Sequence, residues 1–254
     1  MEDVACMLRL DERFLFAIVC DGHGGKACAE FVQKRVTVLV REAHKDGGSD
    51  VVARDLPCYV EQAGREWDEQ CLAVLGCKDM PTSEERRVHM FNIDEEVAAR
   101  YNDLNMGSGT TAVAAYINLL TKEATVANVG DSKALWKLNG EEFGETVSHL
   151  PDEYDLGPVG GVITKTHDTV RINGVLAVGR ALGDNTIDLM GSVSRSTDRY
   201  SISAEDRCTR IILVSDGVTD ALSSIDILSS HTAQDIVEAS TDSNDNATAL
   251  VINL

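Results

Sequence analysis

Positive charge is what this chain has least of: 23 lysines and arginines face 42 aspartates and glutamates, for a formal net charge of −19. Nucleic acid and anionic membrane are disfavoured as main partners, because like charges repel, whereas cationic partners or metal ions suit the balance; ordinary solubility is its plainer account. Seven cysteines (Cys6, Cys20, Cys28, Cys58, Cys71, Cys77 and Cys208) form no C-x-x-C pair and no short repeating spacing. That argues against a disulfide framework or a zinc finger and for a reducing compartment. Met1-Glu2-Asp3 has no basic segment with an apolar stretch behind it, and no run approaches the roughly 18 apolar residues that span a bilayer. A soluble protein of the cytoplasm or nucleus is expected. Internal repeats and low-complexity tracts are also lacking.

With 43% hydrophobic residues, a sizeable core is within reach, and a single domain over residues 1–254 is the preferred organisation. Val4 to Leu10 and Phe14 to Cys20 read as a hairpin around Asp11-Glu12-Arg13. A turn centred on Glu12 sets Asp3 opposite Asp21, which gathers Glu2, Asp3 and Asp21 from local sequence alone. Apolar positions from Lys26 to His44 follow a helical stripe, and two further helices are expected around Tyr59 to Leu75 and Glu84 to Tyr101, parted by Gly76 and Pro81. Thr111 to Asn118, Ala124 to Val129 and Ala134 to Leu138 read as a three-stranded meander. Residues 139–170, rich in Gly, Pro and Asp, read as an irregular surface segment suited to a flap. Beyond them come a helical reading for Val175 to Leu182, a buried strand over Arg210 to Ser215, a short helix over Asp235 to Ser240 and a last strand over Ala249 to Leu254. The sum is an α+β fold with antiparallel sheets in the middle and helices outside. Three strands in succession leave no room for the crossover helices of a doubly wound sheet.

Three aspartates, Asp21, Asp131 and Asp216, stand just past apolar runs, and Asp245 stands just before the last one. Strand ends that share one edge would bring such acids together, where they repel unless a cation lies between them. Asp21-Gly22-His23 joins a carboxylate for a hard cation, a glycine whose carbonyl can approach it, and an imidazole beside both. Alone, that tripeptide reads first as a turn whose Asp bonds its own backbone; the four acids together favour the cation. Oxygen ligation without clustered His or Cys selects Mg²⁺ or Mn²⁺, and two ions sharing Asp21 could hold a bridging hydroxide while neutralising a phosphoryl group. Gly107-Ser108-Gly109-Thr110-Thr111 lacks the Lys-Ser/Thr ending of a phosphate loop and reads as a close-packed strand entry. Gly183-Asp184 reads as a helix terminus with a capping turn.

Eight segments, in order, carry a resemblance: Met1-Glu2-Asp3, Asp21-Gly22-His23-Gly24-Gly25, Ser108-Gly109-Thr110-Thr111-Ala112-Val113, Asn128-Val129-Gly130-Asp131-Ser132, Asn173-Gly174-Val175-Leu176-Ala177-Val178, Arg180-Ala181-Leu182-Gly183-Asp184, Ser215-Asp216-Gly217 and Asp245-Asn246-Ala247-Thr248. Together they resemble the metal-dependent protein serine/threonine phosphatases of the PPM, or protein phosphatase 2C, family. The resemblance implies a central β-sandwich of two antiparallel sheets flanked by α-helices, with two Mg²⁺ or Mn²⁺ ions at one end and a weaker third. It implies that Asp21 bridges the two ions, that Gly22 gives a carbonyl, that Asp216 and Asp245 complete a site, and that Glu2 holds metal-bound water. Asp131 with Asp216 would serve the third ion, Asp3 and Thr111 would stand behind the ligands, and His23 would act as general acid. A phosphoprotein substrate, no phosphoenzyme intermediate and a monomer follow.

Departures from the family pattern are expected to weaken substrate binding and to bear on substrate choice, while leaving the hydrolytic centre intact. The family places an edge strand and a phosphate-contacting arginine ahead of Met-Glu-Asp, and the given sequence starts at Met1; a fragment, an alternative start and a true loss all remain open. Lys133 and Gly179 replace the usual Arg and Ser, the segment after Ser148 is short, only 28 residues separate Asp216 from Asp245, and residues 50–82 read as an added segment. The alternative function is a catalytically weak or inactive phosphatase-like binding or regulatory module.

Overall fold

In a computed structural model, residues 1–76, 95–139, 142–151, 156–157, 160–166, 169–186 and 192–254 are described. The strand Phe14–Cys20 (β2) shows how the layers arise. Its side chains alternate across the pleat: Phe16, Ile18 and Cys20 enter a core shared with helices, while Ala17 and Val19 enter a second core shared with another sheet. A strand buried on both faces needs a continuous apolar run, as this one has.

β2 lies second in a five-stranded antiparallel sheet, in the order Val4–Arg9 (β1), β2, Ala112–Asn118 (β5), Ala124–Val129 (β6) and Asp198–Ile202 (β12). Val4 pairs with Cys20 and Arg9 with Leu15, so the register carries Asp3 to a place opposite Asp21, as the hairpin predicts. A four-stranded antiparallel sheet packs against it, ordered Ala249–Asn253 (β14), Arg210–Val214 (β13), Lys133–Lys137 (β7) and Phe143–Glu145 (β8). A small sheet joins Gly22–His23 (β3), Gly109–Thr110 (β4) and Leu182–Gly183 (β11), and a hairpin pairs Ile163–Lys165 (β9) with Val170–Ile172 (β10).

Two long helices, Ala27–Asp46 (α1) and Ser49–Leu75 (α2), cover the outer face of the five-stranded sheet, burying Val32, Val36, Val40, Leu56, Val60 and Trp67. Glu95–Asp103 (α3) adds Tyr101 to this side. On the far face of the other sheet, three short helices, Asp216–Thr219 (α4), Ser224–Ser229 (α5) and Ala233–Ala239 (α6), supply Val218, Ile227, Leu228 and Ile236. The result is a sandwich of two antiparallel sheets between helical layers, an α+β fold as expected. No helix among the described residues is long and apolar enough to cross a membrane.

Five expectations are corrected or bounded. The meander is only two strands deep: β7 leaves β6 and pairs with β8 and β13 in the opposite sheet, and Gly130-Asp131-Ser132 makes the crossing. Val175 to Leu182 is not a helix. Asn173 and Gly174 take positive φ values of 53° and 72°, the Ile172 amide donates to the Leu176 carbonyl at 2.8 Å, and Leu182–Gly183 is strand. The helix expected from Tyr59 starts ten residues earlier, at Ser49, and runs through Pro57. Its buried positions Val52, Leu56, Val60, Ala63, Trp67 and Cys71 keep helical spacing across the proline, so packing outweighs one missing N–H donor. Residues 49–75 are therefore a core layer and not an appended segment; of the helix expected at Glu84 to Tyr101, residues 84–94 lie outside the described residues.

Candidate active site

Antiparallel order places the functional residues at one end of the sandwich. β1 begins there, β2 ends, β5 begins and β6 ends; in the other sheet β7 begins, β13 ends and β14 begins. Glu2 and Asp3, Asp21, Thr111, Asp131, Asp216 and Asp245 flank these strand ends, and a cleft of about 370 Å³ opens between them. Asp21, Gly22, His23, Thr111, Asp131, Asp184, Asp216 and Asp245 line it, with Arg171 and Val175 to Val178 reaching in from the hairpin side.

Backbone contacts fix the loops. The Asp21 carbonyl accepts from the Thr111 amide and from Thr110 Oγ1, each at 2.9 Å. Gly22 must be glycine: a Cβ there would stand 2.7 Å from the Glu2 carbonyl oxygen, so the start of β1 lies directly against it. Gly217 similarly backs onto Asn246, holding Asp216 beside the loop that carries Asp245. Thr111 shares a 2.7 Å hydroxyl hydrogen bond with Ser132, and Gly130, at φ 102°, passes where a side chain would meet Thr111. Asp3 is buried; its Oδ2 accepts from Thr248 Oγ1 at 2.8 Å, tying the start of β1 to the start of β14.

The electrostatics are those of crowded acids. Burial, then hydrogen bonding and repulsion with Asp216, then the charge of Asp3, push the Asp21 carboxyl up to about 10. Asp216 is raised by burial and by the charges of Asp245 and Asp220, against the hydrogen bond it shares with Asp21. Asp131 is pushed up to about 6, by burial first and by Asp216 second, and burial also raises Asp3. No three of the described His, Cys, Asp and Glu side chains already enclose a common point as a finished metal cage. The fit of a cation rests on the shared negative charge and on buried oxygens without a hydrogen-bond partner, among them Asp3 Oδ1 and Asp216 Oδ1. A hard divalent ion meets both demands, and the donor set is entirely oxygen. Asp21, Asp216 and Asp245, with the Gly22 carbonyl, are the groups that would hold it.

His23 stands beside this cluster with a partner that sequence reading did not assign. Its Nε2 lies 2.7 Å from Oδ1 of Asp184, which is buried, while the His23 side chain keeps 32% of its surface open. Burial would lower the imidazole pKa, but the Asp184 carboxylate, helped by Asp131 and Glu2, outweighs it and raises it. The β3–β4–β11 sheet brings the pair together, and Gly109 lies beneath it: a Cβ there would fall 2.5 Å from Asp184 Oδ1. Gly183-Asp184 is therefore no helix cap, and Gly107 to Thr111 is the close-packed strand entry it was read as. An aspartate after a glycine in an apolar stretch was the available signal for Asp184, and its left-handed φ of 59° marks the same point in the structure.

Comparison with known proteins gives this geometry a family. The "Protein phosphatase 2C" family model matches residues 2–252. "Probable protein phosphatase 2C 75" of Arabidopsis thaliana is 30% identical over 82% of this chain and 49% of its own length, and "Protein phosphatase 1K, mitochondrial" of Xenopus laevis is 26% identical over 99% of this chain and 64% of its own. The chain spans about half the length of the first curated relatives it matches. Among solved structures, a C. elegans sex determining protein superposes with a TM-score of 0.72 at 22% identity, covering 98% of this chain and 60% of that one. A serine-threonine phosphatase 2C from Toxoplasma gondii does so with a TM-score of 0.64 at 21% identity, over 99% and 90%. Matched along nearly its whole length by the family model and sharing the fold of these structures, the chain belongs to the protein phosphatase 2C family.

Proposed function

We propose that this chain is a Mg²⁺- or Mn²⁺-dependent phosphatase that hydrolyses phosphoserine and phosphothreonine in proteins without a phosphoenzyme intermediate. One observation carries the reading: Asp21 and Asp216, from opposite sheets, meet in a single cleft, where burial and the crowding of neighbouring acids make both carboxyls reluctant to ionise unless a cation joins them. Bound there, such ions supply an activated water at neutral pH and neutralise the phosphoryl oxygens. The chain's own residues do the rest. Asp21 and Asp216 fix the charge between the two sheets, and Asp131, on the β6–β7 crossing, suits a weaker ion. Glu2 and Asp3, just before β1, add negative charge beside His23 and Asp21. His23, with Nε2 committed to Asp184, has Nδ1 free to give a proton to the departing serine or threonine oxygen.

The test is phosphate release from a phosphothreonine peptide with Mn²⁺ and with chelator. The reading expects metal-dependent turnover that Asp216→Asn abolishes. Turnover indifferent to chelator and to that substitution would overturn it, and tight peptide binding without turnover at saturating Mn²⁺ would favour the binding-module alternative.

A further inference from the structure

α2 touches the residues on either side of Asp184 from three positions on one face. Gly64, Trp67 and Asp68 occupy i, i+3 and i+4 and so share a face. Gly64 makes room for Leu182, whose Cδ2 would lie 2.8 Å from a Cβ there, and Trp67 packs against Gly183, 3.2 Å from the Cβ position. Asp68, buried, accepts at Oδ1 from Asn185 Nδ2 at 2.9 Å and pairs at Oδ2 with the Arg195 guanidinium. Leu182, Gly183 and Asn185 are the residues on either side of Asp184. The Asn185 carbonyl is held in turn by the Tyr101 hydroxyl at 2.6 Å, and the Asp184 amide by the Ser108 carbonyl at 3.1 Å.

Asp184 needs such bracing. Its φ of 59° is a left-handed conformation unfavourable to an aspartate, and it persists only when the surroundings over-determine it. One of its oxygens, Oδ2, is buried without a partner, so the carboxylate has no second hydrogen bond of its own to fix its angle toward His23. The orientation must come from the backbone and its neighbour Asn185, whose carbonyl Tyr101 holds and whose side-chain amide Asp68 holds. A buried carboxylate is an expensive way to brace a loop unless both its oxygens are matched, as they are here by an amide and a guanidinium.

We propose that Asp68, acting through Asn185 and held by Arg195, is the positioning residue that aims Asp184 at His23. The catalytic consequence rests on the phosphatase reading above; the structural one does not. Loss of Asp68 frees Asn185, lets Asp184 turn, and weakens the hydrogen bond that keeps the His23 ring at the cleft. Proton delivery to a poor leaving group then suffers, while hydrolysis of an ester whose leaving group needs no proton does not.

The experiment compares Asp68→Ala with wild type on a phosphothreonine peptide and on p-nitrophenyl phosphate, both with Mn²⁺. Expected is a fall in peptide kcat of about 10-fold or more, with p-nitrophenyl phosphate within about 2-fold and both KM values unchanged. Asp68→Asn keeps an acceptor for Asn185 and should recover part of the loss. Equal losses on both substrates, or none on either, would overturn the proposal. The His23 Nε2–H resonance is read in parallel, without metal or substrate. A signal present in wild type and lost or fast-exchanging in Asp68→Ala supports the coupling; an unchanged signal overturns it. Should wild type show no metal-dependent turnover, the phosphatase reading fails and this resonance decides the proposal alone. Should Asp68→Ala not fold by circular dichroism, Asp68→Asn carries the same comparisons with smaller expected shifts.

Discussion

Replacing Asp216 by asparagine should stabilise the metal-free protein while destroying its response to metal. Asp216 shares a buried strand end with Asp21 and raises the cost of ionising it, while burial and the charges of Asp245 and Asp220 raise Asp216 itself. Two unit charges about 4 Å apart repel by roughly 4 kcal/mol at an effective dielectric constant near 20. At pH 8 Asp21, pushed up to about 10, carries a proton, so neutralising Asp216 recovers its burial cost and its repulsion with Asp245 and Asp220, about 1–3 kcal/mol. For a domain of this size, about 2–4 °C per kcal/mol, the metal-free melting temperature should rise by about 2–12 °C. Wild type should instead gain on adding Mn²⁺, by about 2.7 kcal/mol at a hundredfold excess over Kd, and the variant should gain little. Differential scanning calorimetry of both proteins at pH 8, with chelator and with Mn²⁺, reads all four numbers. A chelated variant that melts below wild type, or one that Mn²⁺ stabilises equally, would refute the repulsion argument.

Three further outcomes follow from the same geometry. Gly109→Ala puts a methyl group where the His23–Asp184 hydrogen bond runs, so the pair must separate by the better part of an ångström and peptide turnover should fall about 10²-fold with Mn²⁺ affinity intact; turnover within about 3-fold of wild type in a folded variant would contradict this. The metal-free protein should lose stability as pH rises, because Asp131, with its pKa moved from 3.8 to about 6, and Asp21, raised further, hold protons more tightly folded than unfolded. Their stabilisation is complete at low pH and fades from about pH 4 upward; melting curves at pH 5 and pH 8 that coincide in chelator would count against the raised acids. Asp131→Asn should leave the tighter metal binding unchanged and remove only the weakest step, as Mn²⁺ titration would show; loss of the tight step would move Asp131 into the primary centre.

Much of the site was legible because strand polarity is local. The Asp11-Glu12-Arg13 turn fixes the β1–β2 register, and that register alone sets Asp3 opposite Asp21. The continuous apolar runs of β2, β5 and β13 told of burial on both faces, and the acids at their ends followed. What was not legible depends on partners distant in sequence. Nothing in Ala134 to Leu138 says that it will leave β6 for β13, since an apolar strand fits either sheet; the choice is made by Gly130, whose φ of 102° turns the chain past Thr111. Leu176, Val178 and Ala181 have spacings that suit a helix or an extended segment, and their packing with Ile172 and Val193 settles on the extended one. Pro57 hid the first turns of α2 because a proline signals a helix end, yet the apolar stripe on either side of it keeps its phase. Asp184 was passed over because its partner, His23, lies 161 residues earlier.

The central claim is that carboxylates from two sheets form one divalent-cation centre. Calorimetric titration of Mn²⁺ into the chelator-stripped protein, alongside Asp21→Asn, tests it most directly. The account predicts at least two ions bound per wild-type chain and loss of the tight sites in the variant. Equal binding by both proteins, or no binding by wild type, would contradict it.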